Sequence, residues 1–75
     1  VVCVISSKED IGVTLKAFNL EIPDGDDQLS LDQNNSRTVK LTLKIIDPDK
    51  PYIAIVSNEK GVHREAVGAG IEMNY

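Results

Sequence analysis

Polar and apolar residues alternate with a period of two along much of this chain. In residues 12–18 (GVTLKAF), Val13, Leu15 and Ala17 share one side while Thr14 and Lys16 share the other. Residues 38–46 (TVKLTLKII) repeat the pattern: Val39, Leu41, Leu43 and Ile45 face one way, Lys40, Thr42 and Lys44 the other. Successive side chains of a strand point to opposite faces, so both stretches predict half-buried strands. Residues 1–6 (VVCVIS) form a β-branched apolar run, which predicts a buried strand. Residues 52–56 (YIAIV) predict a fourth strand, and Val62-His63 the start of a short fifth. SSKED-IG is a connection of hairpin length between the first two strands. DPDK is a strong turn signal, which makes residues 38–56 a hairpin, and SNEKG is a further turn. In residues 64–73 (REAVGAGIEM), Ala66, Val67 and Ile71 fall on one helical face, although Gly68 and Gly70 each cost about 1 kcal/mol of helix propensity. The pattern therefore predicts one small all-β domain over 1–75: five short strands and a short C-terminal helix.

Residues 19–37 break the pattern. They hold Pro23, Gly25, four Asp and three Asn. PDGDD is turn chemistry, because Pro sets φ and Gly accepts positive φ. Leu20/Ile22 and Leu29/Leu31 are spaced for two very short strands about that turn. A connection this long in a small domain predicts an acidic inserted loop, a contact surface for a protein partner or a disordered stretch.

Length and charge narrow the function classes. The chain has 75 residues and one cysteine, Cys3, so no disulfide forms within it. Below roughly 70–80 residues one core rarely supplies more than about 3–5 kcal/mol, which points to a partner subunit. The formal charge is −4. That balance argues against broad non-specific binding to DNA or RNA, which needs many cations facing phosphates, but not against a small basic face. No stretch is long and apolar enough for a transmembrane helix. The first residues lack the basic and long apolar regions of a signal peptide, and a start on Val1 rather than Met suggests trimming. These features predict a cytoplasmic protein.

No catalytic, metal or cofactor site emerges. Counted from Asp24, an EF-hand would need Gly sixth and Glu twelfth, where Leu29 and Asn35 stand. Cys3 and His63 lack an orienting partner, and Cys3 reads as a small buried hydrophobe. Lys8, Lys60 and Arg64 lie at predicted turns and strand ends. A cationic cluster with few aromatic residues suits phosphate contact better than base stacking.

Two stretches carry a resemblance. Residues 3–15 (CVISSKEDIGVTL) resemble the opening of the carbon storage regulator (CsrA-like) family of translational repressors, and residues 62–65 (VHRE) resemble the seam where that family's last strand meets its helix. Between them, TVKLTLKIIDPDKPYIAIVSNEKG resembles the family's central hairpin. The resemblance covers about three quarters of the chain. It implies a strand-exchanged homodimer, in which first and last strands of opposite subunits pair, and RNA partners bearing GGA-containing hairpin loops whose translation is repressed. Carried over by position, the RNA contacts would be Ile5, Ser6, Ser7 and Lys8 from one subunit. Val62, His63, Arg64 and Glu65 would come from the other, with Lys60 nearby. Arg64 would meet phosphate or a base edge, since its fork suits both.

The departures are specific. Ser7-Lys8 stands where the family has two consecutive basic residues, and Asp10-Ile11 stands where it has Gly-Glu. The 19–37 segment resembles variants with an insertion there, and it is acidic. Two cations on loops near each site predict weak, strongly salt-sensitive RNA binding. The competing expectation is a β-rich module without an RNA role that uses the acidic 19–37 loop as a protein contact.

Overall fold

A computed structural model describes residues 1–66 and 71–74. The fold is small and all-β. Its strands are β1 (Val2–Ser6), β2 (Ile11–Phe18), β3 (Leu20–Glu21), β4 (Gln28–Leu31), β5 (Thr38–Thr42), β6 (Lys44–Ile45), β7 (Ile53–Asn58), β8 (His63–Ala66) and β9 (Ile71–Asn74). A 3-10 turn, Gln33–Asn35, follows β4.

Two sheets share one core. One has the order β5-β1-β9 and the other β4-β2-β7-β8, while β3 and β6 form a two-stranded ribbon. Alternation sets which side chains go inside. Cys3 and Ile5 of β1 and Ile71 and Met73 of β9 pack against Ile11, Val13 and Leu15 of β2 and Ala54 and Val56 of β7. Leu20, Leu31 and Leu43 complete this cluster from β3, β4 and the residue between β5 and β6. The core is the main source of stability, because each fully buried aliphatic side chain contributes about 1.5–3 kcal/mol relative to exposure.

The pairings differ from those expected of neighbouring strands. β1 does not form a hairpin with β2. It pairs antiparallel with β5, Ile5 opposite Val39, and parallel with β9, Cys3 opposite Ile71. β2 instead pairs with β4 and β7 in the other sheet. The apolar faces of β1 and β2 therefore meet across the core rather than side by side. Likewise residues 38–56 are not a hairpin, since β5 lies on β1 and β7 lies between β2 and β8.

The C-terminal helix expected over 64–73 is replaced by strand wherever those residues are described; 67–70 lie outside them. In β9 the burial alternates, with Ile71 and Met73 inside and Glu72 and Asn74 outside. A free edge of β1 rewards that period of two, and the two glycines disfavour the helical alternative. Both edges of β1 are filled from the same chain, by β5 and β9.

Segment 19–37 is part of the sandwich rather than an excursion from it. It contributes β3 and β4, and Leu20 and Leu31 are buried in the core. Asp32 caps the 3-10 turn, accepting from the Asn34 N–H at 3.0 Å while its own N–H donates to Asn35 Oδ1 at 3.0 Å. The turn 23–27 is largely exposed, and in it the Asp26 N–H donates to the Pro23 carbonyl at 3.0 Å.

Candidate binding site

Two turns meet at one end of the sandwich. The first, residues 7–10, carries the chain from β1 to β2. Its Ser7 N–H donates to the Arg37 carbonyl at 2.9 Å, and Ser7 Oγ accepts from the Glu9 N–H at 3.2 Å. The second, residues 59–62, joins β7 to β8. Asn58 organises it: Oδ1 accepts from the N–H groups of Lys60 and Val62, both at 3.0 Å. The Asn58 carbonyl accepts from the Gly61 N–H at 3.1 Å, and Gly61 sits at φ 83, where a Cβ would be strained.

The turns are tied together. Lys60 Nζ lies 2.6 Å from Glu9 Oε1. The Glu59 N–H donates to the Gly12 carbonyl at 3.2 Å. Asp10 is held on the other side by Arg37 at 2.8 Å. The hydrogen bond to Glu9, and then its charge, push the Lys60 ammonium above the ordinary lysine pKa. The pair is exposed, so it contributes little to stability.

Between the turns lies an open cleft lined by Ser7, Lys8, Glu9, Ile11, Asn58, Val62 and Arg64. The register explains how Arg64 reaches it. Arg64 is directly opposite Val56, and Val56 is fully buried. Opposite residues of an antiparallel pair share a face. Arg64 therefore emerges on the core side of edge strand β8, where the sandwich opens. His63 and Glu65, opposite Ser57 and Ile55, take the other face. A charge pointing inward on an edge strand also discourages that edge from pairing with another sheet.

Of the nine residues singled out in the sequence, four line this cleft: Ser7, Lys8, Val62 and Arg64. The resemblance expected its two stretches to meet across subunits; here they meet within one chain. Ile5 is fully buried, so its side chain presents no surface to a ligand. Ser6 turns to β9, its hydroxyl bonded to the Asn74 side chain and 3.5 Å from the Met73 carbonyl. Lys60 is held by Glu9 rather than directed into the cleft. His63 and Glu65 are exposed outside it. Ile11 and Asn58 were missed. Asn58-Glu59-Lys60-Gly61 carries the signal for Asn58, an Asn side chain bonding backbone two residues ahead in a turn closed by Gly.

Among the described residues no three His, Cys, Asp or Glu side chains gather as a metal-ligand set. Cys3 is buried in β1, and burial raises its thiol pKa, while His63 is exposed on β8 in the other sheet. No described helix is long and apolar enough to cross a membrane. Comparison of the chain with protein-family models, with curated proteins and with solved structures finds no match in any of the three.

Proposed function

We propose that this chain is a non-catalytic β-sandwich interaction module whose contact surface is the acidic segment 19–37. The observation that carries this reading is how the segment is mounted. Leu20 and Leu31 are buried in the core on either side of the turn 23–27, and Asp24 and Asp27 are exposed on it. Charges held on an anchored turn lose less conformational freedom on binding than charges on a floppy loop. The experiment uses the chain as bait in an extract of its source cells, beside the variant Asp24→Lys/Asp27→Lys. Any retained protein is then purified and titrated against both. A protein that binds the wild-type chain and not the folded variant supports the reading. Retention of the same proteins by both baits overturns it.

A second reading is favoured by a separate observation, the convergence of Ser7, Lys8, Val62 and Arg64 on one cleft. In it the chain binds GGA-bearing RNA hairpins and represses translation, with Lys8 and Arg64 meeting phosphates. Lys60 is engaged by Glu9, so two cations would carry the contact and the binding would be weak. Titration against a GGA hairpin and its GGA-mutated form, at low and at physiological salt, tests it. Loss of retardation on Arg64→Ala supports the RNA role; absence of any retardation at low salt removes it.

A further inference from the structure

The charges of this chain are segregated. Residues 19–36 hold five carboxylates and no Lys or Arg, while the rest of the chain holds eight cations and seven carboxylates. Asp24, Asp26 and Asp27 sit on the turn 23–27, which continues along the edge of β2 beyond β4, while Asp32 lies past the other end of β4, near Asp10. The lining of the cleft between the turns at 7–10 and 59–62 has the opposite sign, with Glu59 standing on the second turn, its Oε1 accepting from the Gly12 N–H at 3.4 Å. Lys8 and Arg64 stand on its walls, and its one lining carboxylate, Glu9, is already neutralised by Lys60 at 2.6 Å. Ile11 and the half-exposed Val62 give the cleft an apolar component.

We infer that the cleft of one copy receives the acidic turn 23–27 of a second copy, so that the chain associates with itself head to tail. This rests on the interaction-module reading and supplies its partner. Charge complementarity selects the occupant. The turn carries Asp24, Asp26 and Asp27 with no Lys or Arg between residues 19 and 36, beside the exposed Pro23, which matches the apolar part of the cleft. The contact is heterologous, because turn and cleft are different surfaces. Each copy keeps one free turn and one free cleft, so association runs on past the dimer unless the ring closes. Net charge of −4 per copy opposes the contact at long range. The attraction is therefore local and weak, and it is screened as ionic strength rises.

The test is sedimentation velocity on the full chain over a range of concentrations, at low salt and at about 0.5 M NaCl, where the screening length is a few ångströms. Mean mass at low salt is expected to climb with concentration and to fall back to the monomer at high salt. Two exposed charge-reversed variants, Lys8→Glu/Arg64→Glu and Asp24→Lys/Asp27→Lys, are each expected to weaken association by about tenfold or more, which corresponds to about 1.4 kcal/mol. An equimolar mixture of the two is expected to associate again, since each now offers what the other lacks. Circular dichroism establishes that both variants are folded. A wild-type chain that stays monomeric at low salt overturns the inference, as does a mixture no better associated than its components. The interaction-module reading fails on a different result, equal retention of proteins by the wild-type and reversed-turn baits.

Discussion

Asn19 pairs with both backbone polar groups of Asp47, which belong to the two successive peptide units around it. Its Nδ2 donates to the Asp47 carbonyl at 2.8 Å, and its Oδ1 accepts from the Asp47 N–H at 2.8 Å. The same Nδ2 lies 3.0 Å from the Lys50 carbonyl and 3.2 Å from that of Pro51. Asn19 does this from the left-handed region, φ 64, which Asn tolerates better than most residues. One side chain thus closes the turn 47–51 against the end of β2.

Asn19→Ala removes these bonds and adds backbone strain, so it is expected to destabilise the fold by about 2–3 kcal/mol. Asn19→Gly loses the bonds but relieves the strain, and should fall between Ala and wild type. Urea unfolding of the three proteins measures the order. Ala and Gly variants of equal stability would mean that strain contributes nothing.

Core and surface apolar residues should separate cleanly. Leu15 is 1 % exposed and Phe18, at the end of the same strand, is 61 % exposed. Leu15→Ala is expected to cost about 2–5 kcal/mol, while Phe18→Ser should stay within about 0.5 kcal/mol. Thermal or denaturant unfolding checks both, and a large loss at Phe18 would show that its ring is covered in solution.

Cys3 gives a pH signature. Burial disfavours the thiolate, so the folded pKa lies above the unfolded one. The stabilising difference is fully present below the unfolded value, near about 8.5, and is lost as pH rises through the folded value. Stability should therefore decline above about pH 8.5, and Cys3→Ala should remove that part of the decline. Native protein should react slowly with a thiol reagent and promptly in urea; fast native labelling would contradict the burial of β1.

The Lys60–Glu9 contact should matter little for stability. Both side chains are more than half exposed, so Glu9→Gln is expected to cost less than about 1 kcal/mol. The cost should shrink further with added salt. Its clearer effect is on the cleft: with Glu9 neutral, Lys60 is released, and salt-sensitive binding of any polyanion should strengthen. Unchanged or weaker binding would show that Lys60 cannot turn towards the cleft.

What could be read in the sequence follows a physical division. Alternation in residues 12–18 and 38–46 assigned Val13, Leu15, Leu41 and Leu43 to the inside, because the face of a strand is a local property. Pairing is not local. Nothing in VVCVIS or TVKLTL says that they lie side by side, nor that β2 takes β4 and β7. Residues 64–73 were ambiguous for the same reason. Ala66, Val67 and Ile71 fit a helical face, Ile71 and Met73 fit a strand, and only the open edge of β1 decides between them. The meeting of residues 7–8 with 62–64 was anticipated through a resemblance, yet the fold achieves it inside one chain. Segment 19–37 was legible in part: the spacing of Leu20/Ile22 and Leu29/Leu31 marked two very short strands, which the fold has as β3 and β4, whereas the burial of Leu20 and Leu31 in the core was masked by the acidic and amide residues around them.

The parallel pairing of β1 with β9 has a mechanical consequence. Two strands pointing the same way leave Val1 at one end of the ladder and Asn74, beside Ser6, at the other. A pull applied along the strands through the two ends of the chain acts parallel to the ladder. It loads the hydrogen bonds of the β1–β9 ladder, from the Cys3/Ile71 pair to the Ser6/Asn74 pair, together, in shear, instead of peeling them apart one after another. Force along β1 and β9 would therefore be met by the whole ladder at once.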